Sequence, residues 1–304
     1  MKNWSLRLLT LLLPFLSFGQ KNTPHKDTNT LLWQISGNGL RQPSYLFGTI
    51  HMLCKDDAVL SDSLKRVIRN CKDVYLEVDM DNIFEMMGLM KSMKMRNDTT
   101  LADLMDKKDY DRVKTFFQEK SGLIPFSMLE TYKPLLAVST LAESAVPCES
   151  AIAMEQLIME EAKRNDKNIK GLETMAYQAG VLDSIPYKLQ AEQLVSYINS
   201  ADKGAEEDKQ MKEMFKAYKN QDLHKLEELM VETDAGMASF TDILLYHRNR
   251  NWVDKLKTLL PGKALLIAVG AGHLPGEKGV INLLRKEGYT VTPVENKINK
   301  SREI

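Results

Sequence analysis

Two short segments near opposite ends of the chain repeat one design. Ser44–His51 reads SYLFGTIH and Leu265–His273 reads LLIAVGAGH. Each is an apolar, strand-like run that ends in Gly-x-x-His and is followed by an amphipathic helix and another strand. Glycine at such an end lets the backbone turn sharply without a Cβ penalty. The histidine then falls on the rim where strand gives way to loop, the place at which open α/β sheets build ligand sites. Two histidines so placed, with carboxylates available, are the beginnings of a hydrolytic or metal site.

The segments between fit this frame. Leu31, Trp33 and Ile35 alternate with polar residues and run into Gly37-Asn38-Gly39, a turn signal, so a second strand over Tyr45–Gly48 completes a hairpin. Leu60, Leu64, Val67, Ile68 and Cys71 recur at helical spacing, with Ser61 or Asp62 as the cap. Val74, Leu76 and Val78 then alternate as a strand that sets Tyr75, Glu77 and Asp79 on its other face. From about Ile83 to Lys257 the pattern is mostly helical, broken at Ile169–Leu172, a short strand that ends beside Glu173. The end restores α/β character, with a strand over Lys263–Val269, a helix over Val280–Lys286 capped by Gly288, and a strand over Tyr289–Val294. The expected fold class is α/β, a central mixed sheet built from N- and C-terminal β-α-β elements with a large helical insertion.

Lys+Arg and Asp+Glu are 41 each, so no global field favours nucleic acid or an anionic membrane. Lys2, Arg7, the apolar run Leu8–Phe18 and the small residues near Gly19 read as a secretory signal over residues 1–19, too short for a stable membrane span. A flexible leader (20–30), a single domain (31–296) and a tail (297–304) follow, and the mature chain is expected outside the cytoplasm, periplasmic or extracellular. An oxidising compartment permits one bridge among Cys54, Cys71 and Cys148, but the preferred reading is three small buried hydrophobes, and the lack of a C-x-x-C pattern leaves a zinc ribbon or thioredoxin-like site unsupported.

A rim histidine can ligate a divalent metal or act as a general base. Glu77 is the leading first-half carboxylate, on a strand expected beside the Gly48–His51 strand. A buried strand glutamate costs several kcal/mol, roughly, unless it is paired or ligates metal, whereas a surface-facing one costs nothing. Glu173 either reaches the rim or is an ordinary N-terminal helix glutamate. Arg248 shares a helix face with Trp252 and could steady an oxyanion, although spacing alone favours a solvated arginine. His224 and His247 read as surface residues, and His25 lies in the leader. In Met80–Met95, residues Ile83, Met86, Met87, Met90 and Met93 fall at helical spacing, a flexible apolar face for packing or for a substrate groove.

FGTIH, YLEVD, GLET, LLYHRNRNW and VGAGHLPGEKGVINLLRKEGYTV, in that order over about Leu32 to Val294, resemble the TraB/GumN family, which includes the Tiki metalloproteases. The resemblance implies one α/β domain, distantly similar to erythromycin-esterase and ChaN-like folds, in which the two Gly-x-x-His elements converge. It implies a divalent-metal-dependent peptidase, with manganese or cobalt preferred and zinc admissible. Carried over by motif, His51, His273 and Glu77 become metal ligands, and Glu77, Glu173 and Arg248 catalytic groups. Where relatives commonly show Gly-apolar-Asp before a helix, this chain has Ala153-Met154-Glu155, an acid kept without the glycine. The expected partner is a peptide or small-molecule substrate. The alternatives are a metal-free esterase-like hydrolase with a histidine base, and a non-enzymatic binder of a peptide or haem-like ligand.

Overall fold

The computed structural model describes residues 29–119, 125–144, 146, 148, 150–201, 206–232 and 240–298. The signal segment and nearly all of the leader, His25 included, lie outside them. Among the described residues eight strands occur in the order β1 (Leu32–Gly37), β2 (Ser44–Thr49), β3 (Leu53–Cys54), β4 (Asp73–Leu76), β5 (Ala151–Ile152), β6 (Asn168–Gly171), β7 (Leu265–Gly270) and β8 (Tyr289–Pro293). Six form one sheet in the order β6-β4-β7-β2-β1-β8, and β3 pairs with β5 in a separate two-stranded ribbon. Strands β6, β4, β7 and β2 are mutually parallel, while β1 runs antiparallel to both β2 and β8. The mixed sheet and its long helical insertion match the fold class expected from the sequence.

One neighbour relation differs from expectation. β4 does not lie beside β2, because β7 inserts between them. The reason is burial on both faces. Leu266 and Ala268 of β7 join the core formed with Val67, Ile68, Val74 and Ile158. Leu265, Ile267 and Val269 join the opposite core with Trp33, Trp252, Leu284 and Val291. A strand apolar on both faces belongs at the centre of a parallel sheet.

Local signals also act as read. Ser61 caps the Asp62–Asn70 helix by accepting from the Leu64 N–H. The His247–Leu259 helix lies against the sheet through Trp252, Val253 and Leu256, each worth about 2 kcal/mol in buried apolar area. The insertion packs a further core of its own from Leu101, Val113, Phe117, Leu129, Leu141, Leu194 and Ile198.

The cysteines require a correction. Cys54 and Cys148 form a disulfide, and only Cys71 behaves as a buried hydrophobe, its thiol pushed up to about 12 by burial. The partners are 94 residues apart, and pairing of β3 with β5 aligns Cys54 with Ala151 and so brings the two segments together.

Candidate active site

Four parallel strands end at one rim of the sheet, and each delivers a side chain there. β2 and β7 are in register with Thr49 opposite Gly270, so both Gly-x-x-His turns leave the same edge side by side. β4 leads directly into Glu77 and its neighbour β6 into Leu172-Glu173, tied by a Glu173 N–H donated to the Glu77 carbonyl at 2.9 Å. The two motif glycines serve close approach rather than a sharp turn, since neither Gly48 nor Gly270 has positive φ. A Cβ on Gly48 would meet the Ala271 backbone at 3.1 Å, and one on Gly270 would meet Glu77 Oε1 at 3.2 Å.

Arg248 is the hub of the buried half. Nη2 donates to Glu77 Oε2 at 2.5 Å and to Glu173 Oε1 at 2.6 Å, Nε donates to Glu173 Oε1 at 2.9 Å, and Nη1 donates to the Leu244 carbonyl at 3.0 Å. Its carbon lies 4.8 Å from the Trp252 ring, so the solvated-arginine reading does not hold. Glu77 is buried too, which removes the surface-facing alternative. Its Oε1 accepts the Gly270 N–H at 2.8 Å and its Oε2 accepts from Gln178 at 2.9 Å. Burial works against the Glu77 anion, but His273, Arg248 and the Gly270 N–H outweigh it and hold the carboxyl at about 2. Glu173 goes the other way. Burial raises its carboxyl above the ordinary range despite hydrogen bonds from Arg248 and from Trp252 Nε1, the latter at 2.9 Å.

His273 is buried against Trp252, with ring centroids 4.5 Å apart. Burial lowers it to about 4, so the ring is neutral at physiological pH. Asn249 fixes its tautomer. The Asn249 amide nitrogen donates to the carbonyls of His273 and Lys278 at 3.3 and 2.9 Å, which turns its oxygen toward His273 Nδ1 at 2.6 Å. Nδ1 therefore carries the proton and Nε2 a lone pair, 3.4 Å from Arg248 Nη1 and 3.8 Å from Glu77 Oε1.

His51 occupies the lip, its side chain 69% exposed, with Nδ1 3.0 Å from Glu155 Oε1. Thr49 donates to the same oxygen at 2.6 Å. Glu155 is buried in the first turn of the Met154–Arg164 helix, and its Oε2 has no hydrogen-bond partner among the described residues. Burial would raise this carboxyl, but hydrogen bonding and charge from His51 keep it below its ordinary value. The β3–β5 ribbon, its disulfide and a Met154 N–H donated to the Ile50 carbonyl at 3.1 Å hold the lip together. Tyr218 braces it from beneath by donating to the Gly48 carbonyl at 3.1 Å.

Glu77, Glu173, Arg248 and His273 are thus gathered in one cluster, while His51 joins Glu155 beside it. Charge on His51 reaches both Glu77 and His273. Among the described residues no three His, Cys, Asp or Glu side chains already close around a point as a metal cage does. His224 and His247 are exposed, as expected. Sequence reasoning missed Asn249, Gln178, Thr49 and Tyr218. Asn249 had a readable signal in the polar NRN run that precedes a core tryptophan. A cavity of about 460 Å³ adjoins the cluster, bordered by Glu173, Trp252, Asn82, Glu85 and Tyr177.

The profile of the TraB/PrgY/gumN family matches residues 31–293. Among curated proteins, a metalloprotease TIKI homolog of Nematostella vectensis is 24% identical over 90% of this chain and 69% of its own length. Metalloprotease TIKI1 of Homo sapiens is 23% identical over 91% of this chain and 64% of its own length. The uncharacterized protein YbaP of Shigella flexneri is 23% identical over 80% of this chain and 88% of its own length. The chain spans about two thirds of the length of the TIKI relatives. No solved structure matches, so the likeness to erythromycin-esterase and ChaN-like folds rests on family resemblance alone.

Proposed function

The chain belongs to the TraB/PrgY/gumN family, and from that premise we propose that it is an exported hydrolase that cleaves peptide bonds at the rim where its two Gly-x-x-His turns meet, with a divalent cation as cofactor. Manganese or cobalt is the proposed ion, and zinc is admissible. The carrying observation is the donor set. It holds a neutral imidazole with its Nε2 lone pair exposed to the cluster, an ionised Glu77, and a buried Glu155 oxygen beside His51 that has no donor among the described residues. These groups suit a cation in kind. His51, His273 and Glu77 are the proposed ligands, and a cation bound there supplies Lewis acidity toward the scissile carbonyl.

The protein's own groups divide the remaining work. Glu77, held at about 2, stays an anion and is a weak base. Glu173, raised above the ordinary range, is better matched to take the proton of an attacking water. Arg248 keeps both carboxylates in place. Its Nη1, whose contact to His273 is long at 3.4 Å, is the donor able to turn toward an oxyanion.

A second reading has its own support. His51 Nδ1 is oriented by Glu155, and its ring is largely exposed, the arrangement of a histidine general base in a metal-free hydrolase. Metal analysis and peptide turnover of the purified protein separate the two. The metal reading expects stoichiometric ion, lost in His51→Ala/His273→Ala, and turnover that chelator abolishes and Mn²⁺ or Co²⁺ restores. Turnover indifferent to chelator, in protein free of metal, would overturn it in favour of the histidine base.

A further inference from the structure

The site does not use the Met-rich helix Ile83–Ser92. One side of this helix is anchored, with Glu85 accepting the Met175 N–H at 2.8 Å and Asn82 capping its first turn. The other side carries large apolar groups in the open, with Ile83 67%, Phe84 80%, Met86 52% and Met87 67% exposed, and Met80 46% just before them. Neither packing nor a groove, the two readings expected for this stretch, accounts for that. A side chain lining a groove is enclosed by its walls, whereas Phe84 at 80% exposure stands on a ridge. Ile83, Phe84 and Met87 follow the i, i+1, i+4 spacing of one helical face, with Met80 exposed in the turn just before it. The same side continues into exposed Lys91 and, just beyond the helix, exposed Lys94. The nearby acids are engaged, Asp81 with Lys163 at 2.8 Å and Glu85 with Met175.

A protruding apolar ridge followed by lysines matches an interfacial helix, which sinks its apolar side among acyl chains while its cations meet lipid headgroups. We infer that this face docks on the surface of a bilayer containing anionic phospholipid. It lies on the bilayer and does not cross it, and no helix among the described residues is long and apolar enough to span a membrane. Asn82, the cap of this helix, and Glu85 within it border the cavity beside Glu173, so docking brings the mouth of the site close to the lipid surface. The lipid attraction is independent of the reaction proposed above.

The test is co-flotation of the full chain with vesicles of phosphatidylglycerol and phosphatidylcholine, against vesicles of phosphatidylcholine alone. The N-terminal apolar run is common to every variant, so differences report the helix. Phe84→Asp/Met87→Asp alters only exposed positions and is expected to lower the vesicle-bound fraction about tenfold. Lys91→Glu/Lys94→Glu is expected to abolish the preference for anionic vesicles. In Phe84→Trp, the emission gained over wild type is expected to shift to the blue on vesicle addition, and to be quenched by brominated acyl chains. Unchanged flotation of Phe84→Asp/Met87→Asp together with no blue shift would overturn the inference. So would a lipid-free dimer of wild type that this double variant dissociates, which would make the ridge a contact between copies.

Discussion

The two halves of the site are built on opposite principles. In the Arg248 half, Glu77 receives Arg248, Gln178 and the Gly270 N–H, while Glu173 receives Arg248 and the Trp252 indole. In the His51 half, Glu155 concentrates both hydrogen bonds on Oε1 and leaves Oε2 without a partner among the described residues, beside a histidine exposed at the lip. A saturated cluster is rigid and holds its carboxylates whether or not anything binds. A buried carboxylate with one oxygen unpaired among the described residues retains capacity for a cation. The first half of the proposed site thus presets two of the proposed ligands, His273 and Glu77, and the second is the side with spare donor capacity beside the third, His51.

The largest effect should come from removing the hub. Arg248→Ala strands two buried carboxylates and is expected to cost about 3–5 kcal/mol in urea unfolding, with complete loss of turnover. A cost within the range of an ordinary surface substitution would break the reading of a preset cluster. Acid provides the next test, in chelator-treated protein. His273 titrates near 4 when folded, below its ordinary 6.5. The unfolded chain therefore takes up a proton through a window in which the native state does not. Stability should fall as pH drops from about 6.5 to about 4, by roughly 3 kcal/mol in all, and this group adds no further loss below that. Glu77 adds a second fall from its ordinary 4.5 down to about 2. His273→Gln should erase the first fall and shrink the second, because His273 is the largest of the influences that hold Glu77 low, and an unchanged slope between pH 6.5 and 4 would contradict the buried neutral imidazole.

How far the sequence disclosed this arrangement depended on distance along the chain. The hairpin, the Ser61 cap, the terminal β-α-β pattern and both Gly-x-x-His ends were legible because each is written in a few neighbouring residues. The insertion of β7 between β2 and β4 was not, since strand order depends on which strand is apolar on both faces. The Cys54–Cys148 bridge was missed for a similar reason, because a two-residue ribbon leaves almost no periodicity to read. Arg248 misled in another way. An arginine beside a helix tryptophan resembles a solvated face until two carboxylates from distant strands arrive to neutralise it.

That bridge supplies a third test, specific to the His51 half. Cys54→Ser/Cys148→Ser is expected to cost about 2 kcal/mol, at the low end for a native disulfide because the β3–β5 ribbon remains. Turnover should fall in the same variant, since the ribbon carries both His51 and the approach to Glu155. The acid-induced fall assigned to His273 should stay where it was. A shift of that fall would show that the two halves are one mechanical unit.

The smallest stability effect, and the sharpest contrast, should come from Glu155→Gln. The amide keeps an oxygen for Thr49 and His51, and it removes a buried charge whose second oxygen had no partner. The amide gives up the charge pairing with His51 and adds a buried N–H but sheds the desolvation of the anion, so unfolding free energy should change by no more than about 1 kcal/mol. Function should not be spared. If Glu155 supports the proposed ligand His51 in holding a cation, ion affinity measured by competition with a chromophoric chelator should drop by about 10- to 100-fold, as when a metal site loses a supporting carboxylate. A variant that is markedly less stable yet binds the ion as wild type does would reverse the roles, making Glu155 scaffold and leaving the ion to His51, His273 and Glu77 alone.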